Sequence, residues 1–167
     1  PLTRTKEYIT IIRKIIDREE ALEFDGNHYQ IPFKGEGSSG LGKPLKSILH
    51  STGDLKIYTA SITPAGLRCA GEVSDGVFPI WMNPEKFDII GEHVEEGFAK
   101  SSEDKSFDNF DVAPFVPVAM GDNIDFCYMA MKPMFALYIG GMGAKSKNFY
   151  NDYAKRLGYE EAAEKIQ

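Results

Sequence analysis

The stretch Ile57 to Gly76, IYTASITPAGLRCAGEVSDG, carries the residue types and spacing with the clearest chemical potential in the chain. A strand-like run ends in small polar residues, a proline opens a helix-like run, and Asp75-Gly76 closes it. Thr63 suits a helix N-cap and Pro64 the first helical position, where a missing N–H is no loss. The free amides of such a turn, together with the helix dipole, make an anion site at the end of a strand. On local sequence, Ser61-Ile62-Thr63-Pro64 is therefore either a plain helix start, which is the commoner case, or a phosphate cradle.

Other candidates read more plainly. Gly37 to Lys43, GSSGLGK, nearly matches the phosphate-loop pattern, but Pro44 replaces the hydroxyl residue that would hold magnesium. The flanking YQIPFK and LKSILH do not make strand, loop and helix, so this segment reads as a surface or lid loop. Gly140-Gly141-Met142-Gly143 follows a long helical run and reads as a C-cap and turn. His28, His50 and His93 have no His or Cys partner one helical turn away and read as surface or loop residues. Glu92, Glu95 and Glu96 read as a solvated helix face. Trp81 and Met82 end a strand on the presumed ligand side and are candidates both for core packing and for lining a substrate pocket. No catalytic dyad or triad can be named from the residues.

These residues need a frame. Tyr8, Ile11, Ile12, Ile15 and Ile16 recur at helical spacing and predict an amphipathic helix over 5–18. EFDGNHYQIP reads as a short hairpin or irregular excursion around Asp25-Gly26, and 34–46 as a glycine-rich loop. From Leu55 onward strands and helices alternate: LKIYTAS, PAGLRCAGEVSD, GVFPIWM, PEKFDIIGEHVEEGFAK. FDVAPFVPVAMG is a third strand bent or flanked by Pro114 and Pro117, and FCYMAMKPMFALYIGG a helix kinked or broken at Pro133. A helix over 146–157 and the start of another from Glu160 complete the reading.

This alternation implies an α/β fold of about three parallel βα units with right-handed crossovers. A TIM-type (β/α)8 barrel needs at least about 200 residues. The 167 residues here therefore read as a single α/β unit that does not close a barrel alone: either a small open sheet or part of a barrel whose other units are absent. Ligands of such units gather beyond the carboxyl ends of the strands, here at Ser61 to Pro64, Met82 to Pro84 and Met120 to Asn123.

A formal net charge of -6 and the lack of any Lys/Arg cluster argue against nucleic acid and leave a small molecule as the expected partner. Cys69 and Cys127 have neither Cys-x-x-Cys nor Cys/His spacing, which points to buried thiols in a reducing cytoplasm. No apolar run reaches the roughly 18 residues of a membrane span. The start PLTRTKEY has no initiator Met and no signal-peptide core, which suggests a piece of a longer protein.

RTKEYITIIRKII, EFDGNHYQIP, GLGKPLK, IYTASITPAGLRCAGEVSDGVFPIW and YIGGMGAKSKNFYNDYAKRLGYEEAAEKIQ, in this order, together resemble the luciferase-like flavin and deazaflavin oxidoreductases. Within that superfamily they are most similar to the coenzyme F-420-dependent oxidoreductases. The resemblance implies a partial TIM-type barrel, of which this chain supplies roughly strands five to seven. It also implies a cofactor phosphate held where IYTAS turns into its helix, at Ala60, Ser61, Ile62, Thr63 and Pro64. Ile62 stands where relatives often carry glycine and is expected to add bulk, for which the Thr63 hydroxyl would compensate. The implied activity is hydride transfer between a deazaflavin and an organic substrate. The alternatives are an FMN-dependent monooxygenase and a non-catalytic, truncated chain that binds flavin or associates with itself. The turn Met82-Asn83-Pro84 lacks the Lys of sugar-phosphate dehydrogenase relatives, so glucose 6-phosphate is not the expected substrate. Family catalytic residues fall in the other barrel half. An open barrel must cover its apolar faces, which implies a homo-oligomer.

Overall fold

The computed structural model describes residues 1–51 and 54–167. Helix α1 spans Leu2–Asp17 and begins earlier than the periodicity suggests, because Pro1 already accepts the amide of Thr5. It buries Ile9 and Ile11, whereas Tyr8 faces outward and its ring meets that of Tyr29. The apolar stripe is thus rotated by about one residue from the expected one. Glu7 is buried with it and is occupied by the hairpin of β1 (Phe24–Asp25) and β2 (Gln30–Ile31), accepting the amides of Asn27, His28 and Tyr29 at 2.8, 2.9 and 3.1 Å. The glycine-rich segment over 34–46 is an exposed loop without helix.

The central sheet is parallel, in the order β3 (Tyr58–Ala60), β4 (Gly76–Phe78), β5 (Asp111–Val112), with Thr59 opposite Val77 and Val77 opposite Val112. All three strands are shorter than the apolar runs suggested. Pro114 and Pro117 carry no N–H for a ladder, and beyond β5 pairing thins to the Ala113 amide on the Val77 carbonyl and the bridge between Ile80 and Phe115.

Helices α2 (Pro64–Val73) and α3 (Asp88–Phe98) cover one face of the sheet. There Val77 packs into a core with Leu67, Ala70, Ile90, Val94 and Phe110. The two helices approach closely at Gly71, where a Cβ would lie 2.2 Å from the Val94 carbonyl oxygen. A 3-10 turn at Pro84–Lys86 precedes α3 and shortens the single helix expected there. The other face, carrying Tyr58, Phe78, Ile80 and Phe115, would look into a closed barrel. Here the sheet is open, and Phe78 and Phe115 are 48% and 68% exposed.

Helix α4 (Ile124–Phe135) runs through Pro133 without breaking and continues as a π-helix over Ala136–Gly141. A proline removes one backbone bond and crowds the preceding turn, yet the helical path is kept on both sides of Pro133. Gly140 and Gly141 form the end of this helix, and the C-cap expected of the segment falls at Met142. Helix α5 (Phe149–Arg156) starts later than Ser146, which has φ 63°, because Asn148 is the residue that caps it. Asn148 and Asn151, both 2% exposed, also donate to the π-helix carbonyls. Asn148 reaches Tyr138 and Ile139 at 2.8 and 3.0 Å, and Asn151 reaches Ile139 at 3.1 Å. Asn151 further binds the Ala163 carbonyl of α6 (Glu160–Ile166) at 2.7 Å, so two buried amides lock the last three helical segments together. Among the described residues, no helix is long and apolar enough to cross a membrane.

Candidate functional site

Strand β3 ends at Ala60, and the next three residues carry the chain from the sheet into α2. Thr63 is extended, and its Oγ1 accepts the Gly66 amide at 3.2 Å while its carbonyl accepts Leu67 N–H at 2.8 Å. Pro64 occupies the first helical position and has no N–H to satisfy. Ala65 N–H is left as the remaining donor of that turn.

Ser61 faces the same space. A Cβ on Gly66 would lie 2.9 Å from both Ser61 Oγ and Thr63 Oγ1. The two hydroxyls thus converge over a residue that must lack a side chain, at the positive end of a helix. Both a helix cap and an anion cradle were open readings of this segment; the cap is present, and the geometry is compatible with the cradle.

Ala60, Ser61, Ile62, Thr63 and Gly66 form one wall of a cleft of about 720 Å³. This size lies within the range of small-molecule sites. The remaining wall is aromatic and aliphatic: Phe78, Ile80 and Phe115 from the open sheet face, Tyr138 from the π-helix, and Phe149 and Tyr150 from α5. Tyr138 and Tyr150 meet edge to face at 4.9 Å. Pro64 does not line the cleft; it sets the helix start behind it.

Ile62 does not obstruct the turn as expected. Its side chain is 5% exposed and packs with Tyr153 and Leu157, so its branch fills core. Its carbonyl accepts a hydrogen bond from Arg156 Nη2 at 2.5 Å, and the guanidinium lies 5.2 Å from the centre of the Tyr153 ring. Burial lowers the Arg156 pKa below the usual arginine value, partly offset by Tyr153 and Asp152. Burial raises that of Tyr153 above the ordinary phenol value.

Trp81 and Met82 lie on a neighbouring hollow of about 830 Å³, shared with Phe135, Leu157, Tyr159 and Ile166. Trp81 has φ 53°, which is uncommon for a bulky side chain. Its ring meets Phe135, Tyr138 and Tyr150 at 5.3, 5.5 and 5.7 Å and so separates the hollow from the cleft. His93 sits on α3 beside Arg68 and Glu96, whose carboxyl is held below the usual range by its hydrogen bonds to His93 and Arg68. That cluster lies apart from the cleft lining, and Glu96 is an ion-pair partner and not merely part of a solvated face.

The sequence reading did not single out the sheet-face residues Phe78, Ile80 and Phe115, nor Leu2, Gly66, Tyr138, Phe149, Tyr150 and the supporting Arg156. The alternation of Gly76, Phe78 and Ile80 carried a signal for the sheet face. Gly66 lies in the first turn after the cap and was within reach of a local reading, whereas nothing local marked Tyr138, Phe149, Tyr150 and Arg156, which come from segments distant in sequence.

The chain is 36% identical over 167 residues to Rv3520c of Mycobacterium tuberculosis, a protein provisionally named coenzyme F-420-dependent oxidoreductase, covering 99% of this chain and 48% of that protein. It is 28% identical over 141 residues to the 5,10-methylenetetrahydromethanopterin reductase of Archaeoglobus fulgidus, covering 84% of this chain and 38% of the reductase. The fold matches the structure of the coenzyme F-420-dependent tetrahydromethanopterin reductase of Methanopyrus kandleri with a TM-score of 0.66 at 21% identity, over 100% of this chain and 47% of that one. The chain thus spans about half the length of these proteins or less. The open parallel sheet with its flanking helices corresponds to part of a TIM-type barrel. Residues 1–167 match the model of one family throughout, and the chain belongs to the luciferase-like monooxygenases.

Proposed function

We propose that this chain provides the phosphate-binding wall of a coenzyme F-420-dependent oxidoreductase that acts on a small organic substrate. The observation that carries this reading is the convergence of Ser61 Oγ and Thr63 Oγ1 over Gly66, at the start of α2 and on the wall of a cleft with aromatic sides. When bound, the deazaflavin ring supplies the redox chemistry, exchanging a hydride with the substrate. The chain's own part is to bind, orient and exclude water. Ser61 and Thr63 offer hydroxyl donors and Ala65 an amide to the phosphate, while Phe78, Ile80 and Phe115 present an apolar floor for a flat ring. Trp81 backs Tyr138 and Tyr150 and is the stronger of the two sequence candidates for shaping the substrate side. Rv3520c and the Methanopyrus kandleri structure are both named for coenzyme F-420, which supports this cofactor.

The description of the matching family as monooxygenases favours FMN as the second reading. Fluorescence titration of the chain with coenzyme F-420 and with FMN, repeated on Thr63→Ala, tests both. Saturable binding of F-420 that is weakened by the substitution supports the proposal. Tighter FMN binding, with oxygen uptake when the flavin is reduced, supports the second reading, and no saturable binding contradicts both for this chain.

A further inference from the structure

The guanidinium of Arg156 has no carboxylate in an ion pair with it among the described residues, and its Nη1 is buried without a hydrogen-bond partner there. Among the described residues its hydrogen bond is to the carbonyl of Ile62, 94 residues away in sequence. Apart from the Tyr153 ring beside it, this half-buried cation is engaged by one backbone oxygen, an unusual arrangement unless that oxygen's direction matters.

Its direction does matter at this turn. The peptide between Ile62 and Thr63 is trans, so its C=O and N–H point in opposite directions. By holding the Ile62 carbonyl toward the end of α5, Arg156 turns Thr63 N–H away from itself. It also removes a partial negative charge from the neighbourhood of an anion. Among the described residues Thr63 N–H has no other hydrogen-bond partner, and Thr63 lies on the cleft wall. The buried Ile62 side chain, seated on Tyr153 and Leu157, fixes the same peptide from its other end.

We infer that Arg156 is a positioning residue that orients the Ile62–Thr63 peptide so that the turn accepts a phosphate, making the phosphate group, and not the ring, the part of the ligand that depends on it. This rests on the functional reading above and adds a residue outside the cleft lining. Arg156 need not touch the ligand.

The test compares ligands that share a ring and differ at the phosphate: FMN against riboflavin, and coenzyme F-420 against its phosphate-free deazariboflavin portion. Wild type is expected to prefer the phosphorylated member of each pair. Arg156→Met is expected to reduce that preference about tenfold, as loss of one charge-assisted bond would. The affinity for the phosphate-free ring should stay unchanged, and Arg156→Lys, which keeps a cationic donor, should restore much of the preference. If Arg156→Met does not melt cooperatively, Arg156→Gln replaces it, since its shorter neutral amide is expected to show the same selective loss. Equal weakening of phosphorylated and phosphate-free ligands, or an unchanged preference, would overturn the inference while leaving the phosphate reading intact. A wild type with no preference for the phosphorylated ligands would overturn that reading itself, and the inference with it.

Discussion

Thr63 Oγ1 accepts the amide of Gly66 at 3.2 Å, and a methyl group on Gly66 would press to 2.9 Å from the same oxygen. The residue that caps α2 and the residue that leaves room for the cap are therefore interdependent. Stability and ligand capture can be separated at this point.

Thr63→Ala removes the cap and one cradle hydroxyl. Loss of an N-cap side chain costs about 1 kcal/mol, to be read as a lower urea midpoint with unchanged slope. Affinity for coenzyme F-420 should fall in the same variant, whereas Thr63→Ser should retain both properties.

Gly66→Ala replaces a poor helix former with a good one, so propensity alone would stabilise α2. The contact with Ser61 and Thr63 opposes this. Cofactor titration should show a loss of at least about tenfold, corresponding to roughly 1.4 kcal/mol, with a much smaller change in melting temperature. Unchanged affinity in a folded Gly66→Ala protein would mean that the cradle is not used.

The elements of this wall were legible in the sequence to different degrees. The helix start at Thr63-Pro64 was readable because capping chemistry is local, and the alternation from Leu55 onward gave the parallel βα frame. What failed was anything decided by tertiary contact. Ile62 looked like an obstruction because its burial depends on Tyr153 and Leu157, far along the chain. The carbonyls of the π-helix after Pro133 are held by Asn148 and Asn151, partners no local pattern shows, and the helix expected to kink or break at that proline runs through it unbroken. Strand lengths were overestimated because apolar runs mark burial as readily as pairing.

Asn151→Leu should show how far those carbonyls matter. Removing its side-chain amide strips bonds from Ile139 and Ala163 in a buried setting. Ile139 keeps the amide of Asn148, so the Ala163 carbonyl is the acceptor stripped of its side-chain partner, at a cost of about 1–3 kcal/mol measured by chemical denaturation. Tyr138 should also lose its fixed position, visible as a weaker response of the cleft to ligand.

Glu7 gives the fold a pH dependence. Burial pushes its carboxyl upward, but the amides of His28, Asn27 and Tyr29 outweigh this and hold it below the ordinary glutamate value. A carboxyl with a depressed folded-state pKa contributes stability that is present above its unfolded value, about 4.3, and lost as pH falls through the folded one. The wild-type melting temperature should therefore drop more steeply than that of Glu7→Gln below that pH. Parallel curves would show that the hairpin contact is not coupled to protonation.

The open sheet face should make the isolated chain associate. Phe115, Val116, Val118 and Met120 are 68%, 65%, 73% and 90% exposed in one run. Exposed apolar side chains in such number favour covering by another chain. Sedimentation velocity should show a concentration-dependent species larger than a monomer, reduced by Val118→Lys. A monomer at all concentrations would contradict this expectation.

The central claim, that the turn from Ser61 to Gly66 receives the cofactor phosphate, is tested most directly by backbone amide NMR during a coenzyme F-420 titration. The account predicts saturable shifts that are largest at Thr63, Ala65 and Gly66 and are greatly reduced with the phosphate-free ring. Saturable shifts confined to the Trp81 to Glu85 hollow, with the Ser61 to Gly66 amides unmoved, would contradict it.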